Sequence, residues 1–292
     1  MSEIFSDQER GRSCQIAALD TEIALSSLSI SSLHELEDIA TSLANECGAQ
    51  RPFEHAYVSP VLFRGHSRAS WSLETTLERF GKRNSSAVDY VRYLSRVKPS
   101  VEAYTEKSFS FNWKNDPASN IAFSLSRIGF LEGQYEFMVY LRHHGFPTPL
   151  LDWSRSLYVA LYFACAGSDH DEDSALFMYV ENLGHGKGGC VGAPEIATLG
   201  SYVSAHRRHF TQQSEYTACV AKIVEEWCFH PHESAMGTAS DQQDRLEKVL
   251  MPASLRKTIL RKLDSMNINA FSLYGTEEAL MQTLAFRELN DW

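Results

Sequence analysis

The 292 residues contain no CxxC pair, no HExxH and no GxSxG, so a zinc ribbon, a dithiol redox centre, a zincin site and a serine-hydrolase elbow are not expected. The six cysteines, Cys14, Cys47, Cys165, Cys190, Cys219 and Cys228, are scattered, and the chain opens without a charged-then-apolar leader. Both point to a reduced cytoplasmic setting. Long hydrophobic runs are missing too. The longest, Leu157 to Ala166, is about half of what spans a bilayer and reads as a buried helix, so no membrane partner is expected. Positive charge is in deficit: 27 Lys and Arg against 37 Asp and Glu give a net charge of -10, which disfavours nucleic acid as the partner. No repeat or low-complexity stretch is visible. The glycine-rich segment 184–189 lacks the Lys-Ser/Thr ending of a phosphate-binding P-loop and reads as a connection.

What is present is a substantial core: 43% of the chain is apolar and 11% of the chain is aromatic. Leu33, Leu36, Ile39 and Leu43 recur at helical spacing within Ser32 to Cys47, so residues 1–55 form a helical N-terminal arm or cap that offers a surface to a protein partner. Val61-Leu62-Phe63 begins a short strand, and helical stretches follow at about 84–108 and 119–144. Gly145-Phe146-Pro147-Thr148-Pro149 then breaks the chain, with Ser154 placed to cap the apolar helix after it. Strands are expected at Ala175 to Val180, Glu215 to Val224 and Ile268 to Tyr274, with helices along Leu255, Ile259 and Leu263 and after Thr276. The irregular alternation gives an α+β fold with a compact mixed β core and helical additions.

Phe63-Arg64-Gly65 is the chemically sharpest segment. A strand entering a core rejects a permanent cation unless it is paired, so Arg64 calls for an internal carboxylate, Asp152 or Glu215, or for an anionic ligand. Gly65 permits close backbone approach. His143 and His144 are able to donate to a nucleotide or to serve the structure. The pairs His206 with His209 and His230 with His232 lack supporting ligands, so no metal is expected. Asp169 to Asp173 reads as a solvated acidic loop, and Cys165 and Cys219 as inert buried thiols.

Leu62-Phe63-Arg64-Gly65, the run His143 to Ser154, and Ala160-Leu161-Tyr162-Phe163-Ala164 together resemble the FRG-domain family. The likeness continues through His206 to Gln213 and into Leu273-Tyr274, covering roughly residues 58–292; an FRG domain at 56–292 would include the helical insertion at about 84–144. Arg142 stands where the family often has glutamine, and Tyr274-Gly275-Thr276 replaces a more usual Phe-Pro-Asp.

In its order of parts the chain is also similar to ADP-ribosyltransferases of the arginine–serine–glutamate type. That resemblance implies an ADP-ribosyltransferase-like fold, NAD as substrate, and an unknown macromolecular acceptor, the chemistry of a toxin or a defence effector. Arg64, Gly65, Thr148, Ser154 and His143 would then bind the cofactor, Glu215 would support an oxocarbenium-like ribose, and Gln213 would position the nucleophile. With water as acceptor the same site is an NAD glycohydrolase. The competing expectation is a nucleotide- or protein-binding FRG module without chemistry.

Overall fold

The computed structural model describes residues 27–111, 131, 133–167, 171–184, 193–201, 203, 207–223, 226–236 and 244–289. Among them, one mixed sheet runs through strands β1 (Ser27–Ser29), β2 (Leu62–His66), β3 (Leu151–Ser154), β4 (Ser174–Val180), β5 (Glu195–Thr198), β6 (Ser214–Ile223), β7 (Glu226–Phe229) and β8 (Arg245–Met251). Their spatial order is β1-β8-β4-β2-β3-β6-β5, with β7 returning onto β6. Only the β1–β8 pair is parallel among them. The chain is thus α+β with a mixed sheet at its centre.

Strand β4 shows why the sheet sits in the middle. Every one of its residues is buried, and alternation sends Leu176, Met178 and Val180 into one core and Ala175, Phe177 and Tyr179 into another. The first core is closed by helix α1 (Leu33–Ala49), whose Leu36, Ala40, Leu43 and Cys47 form a buried stripe. Ser32 caps α1 by accepting from the Glu35 N–H at 3.2 Å. The expected N-terminal helix is therefore present, and it packs on β2, β4 and β8 in the same core.

Helices α2 (Thr76–Arg79), α3 (Ala87–Thr105) and α4 (Tyr135–His143) follow. Buried Tyr90 and Leu94 of α3 and Phe137, Met138 and Leu141 of α4 pack with Tyr216, Ala218 and Val220 of β6. Of the second expected insertion helix, 119–144, the stretch before α4 lies almost wholly outside the described residues, as do His206, Val224 and the glycine segment after Gly184.

Helix α5 (Leu157–Ala166) is apolar all round because it is buried against the sheet. Its cap is Ser156, which accepts from the Val159 N–H, and not Ser154 as the sequence leads one to expect. Ser154 belongs to β3, and its hydroxyl accepts from the Ser156 N–H at 3.0 Å. After α6 (Arg207–Thr211) and β8 come α7 (Arg256–Ser265), α8 (Ala270–Tyr274) and α9 (Glu277–Leu289). The α8 segment was expected as a strand. Asn269 overrides its β-rich composition by closing a capping box with Ser272, and Gly275 ends the helix at φ 64. No helix among the described residues is long and apolar enough to cross a membrane.

Candidate functional site

Strand β2 alternates Leu62, Arg64 and His66 on one face with Phe63 and Gly65 on the other. It pairs with β4 along all five of its residues, but with β3 only at Phe63↔Ser154. The strands part beyond that rung, and the Arg64 guanidinium enters the gap. Its Nη1 donates to Asp152 Oδ1 at 2.9 Å and also to the Asp152 backbone carbonyl, while its Nε donates to His66 Nε2 at 3.0 Å. Asp152 faces away from Leu151 and Trp153, which share the core of Leu62, so the guanidinium reaches through the sheet to its partner.

A second guanidinium closes the cluster. Arg142, near the end of α4, donates through Nη2 to the same Asp152 Oδ1. Burial would raise the Asp152 carboxyl, but the charges of Arg142 and Arg64 and their hydrogen bonds outweigh it and hold the group well below the usual carboxylate range. Burial, with the Arg64 charge beside it, pushes the His66 imidazole down to about 3. His66 is therefore neutral and able to accept. Its other nitrogen, Nδ1, lies 3.4 Å from the Trp71 carbonyl, and its ring meets Phe177 edge-on at 4.9 Å.

The gap opens into a cavity of about 660 Å³. Arg64, Asp152 and His66 line it together with the aromatic rings of Trp71 and Phe163, and Arg79, Glu74, Ser154 and Gln212 are among the other lining residues. Its volume falls within the range of about 300–1,000 Å³ usual for small-molecule sites. Cations, carboxylates and aromatic faces in one concavity suit a ligand with an anionic group and a planar ring.

A family model for the FRG domain matches residues 59–173. Residues 59–173 are an FRG domain. No curated protein matches the chain, and no solved structure does. The FRG match contains Arg64, His66, Arg142 and Asp152, so the cluster is made wholly within it, while Gln213 and Glu215 lie beyond it.

Gly65 lines the cavity, yet the space its side chain would need is taken by protein. A Cβ there would stand 2.0 Å from the Ala160 carbonyl oxygen and 2.6 Å from the Ala164 nitrogen. Glycine is required because α5 lies directly on β2.

The other residues expected at the site divide. Ser154 is on the cavity wall, its hydroxyl donating to the Gln212 carbonyl at 2.8 Å. Thr148 is buried away from the wall, where its carbonyl accepts from the Leu77 N–H at 3.1 Å. His143 Nε2 lies 2.9 Å from the Tyr216 hydroxyl, off the cavity. Glu215 is buried opposite Trp153 on β6 and ion-paired with Arg155, and it does not line the cavity. Gln213 precedes β6 in a turn with φ 48 and is exposed, so it and Glu215 do not share a strand face as their spacing suggests.

Arg64 and Glu215 thus have separate partners. The residues that sequence reasoning missed are His66, Trp71, Phe163 and the pairing role of Arg142. The signal for His66 was available, since it follows Arg64 by two residues on the same strand face. Among the described residues, no group of three or more His, Cys, Asp or Glu side chains is arranged to hold a metal.

Proposed function

We propose that this FRG domain binds an anionic nucleotide of the NAD class in the Arg64 cavity, and that ADP-ribosyl transfer to a macromolecule is the reaction such binding serves. One observation carries the reading: a partly buried arginine, anchored on one side by Asp152 and His66, lines a cavity that also presents Trp71 and Phe163. The guanidinium supplies charge-assisted contact to a phosphate oxygen, and the rings supply a surface for a base. Arg79 adds a second cation on the wall.

For the chemical step, a carboxylate must face the positive charge that develops at the ribose carbon. Two carboxylates line the cavity. The charge of Asp152 is already offset by two guanidiniums, whereas Glu74 has an exposed pair to Arg83 at 3.4 Å. Glu74 is thus the group to test alongside Glu215. Radiolabelled NAD is incubated with the protein and cell lysate, and label in macromolecules and free nicotinamide are both measured. Glu74→Gln is expected to keep NAD binding and to lose turnover, with Glu215→Gln remaining active. Nicotinamide release without labelled macromolecule identifies a glycohydrolase.

A second reading, a binding module without chemistry, is favoured by the closed ion pairs: Arg64 and Arg142 share Asp152, and Arg155 takes Glu215. Saturable NAD binding with neither product formed supports it. Absence of nucleotide binding overturns the transferase reading and leaves of the second only a protein-binding module.

A further inference from the structure

Two cations of the cavity lining keep positive charge that no carboxylate offsets, and they differ in depth. The Arg64 side chain is set in, only 12% exposed. Its charge and that of Arg142 meet a single carboxylate, Asp152, so this cluster is left with one net positive charge. Arg79 lines the same cavity from the exposed end of α2. Its Nη1 donates to the Glu74 backbone carbonyl at 3.0 Å, an acceptor without formal charge, and among the described residues no carboxylate stands within ion-pair distance of it. The Glu74 carboxylate pairs with Arg83 instead, at 3.4 Å. The two uncompensated charges are within reach of each other. Burial first, and then the charges of Arg142 and Arg79, hold the Arg64 guanidinium below the ordinary arginine range, with Asp152 offsetting part of this.

We infer that Arg64 and Arg79 each take one phosphoryl group of a diphosphate, so that Arg79 is a ligand-binding residue selecting nucleotides with two phosphates over those with one. The inference rests on the nucleotide reading above and narrows its ligand class. A ligand that brings one negative charge to each cation relieves the repulsion between them, and each contact is charge-assisted. A single phosphate carries its charge on one phosphorus. Held at Arg64, it leaves Arg79 without a counter-charge. Arg64 is suited to the inner phosphate because Asp152 and His66 already fix its guanidinium, leaving Nη2 open among the described residues. Arg79 is suited to the outer one, since it is long, exposed and tied by one hydrogen bond, and so can turn towards a second phosphate.

The test compares AMP with ADP-ribose. At about pH 8 each carries roughly two negative charges, AMP on one phosphorus and ADP-ribose on two, so general attraction to a positive cavity is matched. Dissociation constants are measured by calorimetry for the full chain. Wild type is expected to favour ADP-ribose by at least about tenfold, the size of one charge-assisted hydrogen bond. Arg79→Gln should weaken ADP-ribose binding by roughly tenfold and AMP binding by less than about twofold. Comparing these losses, instead of the affinities alone, removes the contribution of the extra ribose. Melting curves establish that the variant is folded, and the wild-type ratio stands as a test even where it is not. Three results overturn the inference and leave the nucleotide reading intact: wild type binding AMP as tightly as ADP-ribose, a folded Arg79→Gln with unchanged ADP-ribose affinity, or an equal loss for both ligands, which would mean that one phosphate meets both cations. Binding of neither ligand by wild type overturns the nucleotide reading and this inference with it.

Discussion

Arg64 of strand β2 and Arg142 of helix α4 donate to one and the same oxygen, Oδ1 of Asp152. Two cations on one anion leave the cluster with a net positive charge inside the fold. The carboxylate suppresses repulsion between the guanidiniums while its own charge is more than compensated, which is why it stays ionised although burial opposes this.

Asp152→Asn should therefore destabilise the protein by about 3 kcal/mol, the lower end of the cost of removing one partner from a buried ion pair, because the Asp152 side chain opens partly onto the cavity. Urea unfolding measures it. Replacing Arg142 by Leu in the same chain should recover part of the loss, since one of the two uncompensated charges is then gone.

Gly65→Ala places a methyl group 2.0 Å from the Ala160 carbonyl oxygen, a collision with helix backbone that no rotamer change relieves. A loss of at least about 3 kcal/mol is expected, or failure to fold, seen as a lowered melting temperature or insoluble expression. A melting curve like that of wild type would mean that α5 does not rest on β2 as described.

His66 and His232 are buried and neutral, and both are pushed down to about 3, by burial first and the Arg64 charge second. In the unfolded chain a histidine titrates near about 6.5. Between these values the unfolded state binds protons that the folded state does not, so stability falls as the pH is lowered from about 6.5 towards 3. Each histidine contributes a slope of up to about 1.4 kcal/mol per pH unit. Unfolding free energies measured across this window should show a shallower slope for His66→Phe, by one proton's worth.

Glu215→Gln removes the charge that Arg155 holds on β6. Because Glu215 is buried and its partner half-exposed, a loss of about 1–2 kcal/mol is expected from denaturant unfolding, with nucleotide affinity unchanged. A marked fall in affinity without loss of stability would place Glu215 at the ligand after all.

Much of this was written in the sequence, and the parts that were share one property: they follow from neighbours along the chain. The helix α1 read from Leu33, Leu36, Ile39 and Leu43, the apolar run of α5 and the β-rich run of β4 are each set by local periodicity and burial. The FRG motifs too were legible, because they are runs of adjacent residues. At Ile268 to Tyr274 the composition favours a strand, but a local signal, the Asn269–Ser272 capping box, makes the segment a helix.

The sequence by itself determined that Arg64 lies in a strand entering the core and must be answered by something negative. It named Asp152 and Glu215 as equals. Only the tertiary structure decided between them, because β2 and β3 share one rung and then part, which puts Asp152 within reach of Nη1, while β6 delivers Glu215 to Arg155. A charge requirement is a property of one residue and its burial. Which opposite charge satisfies it depends on strand order and register, and those are fixed by contacts among residues far apart in the chain.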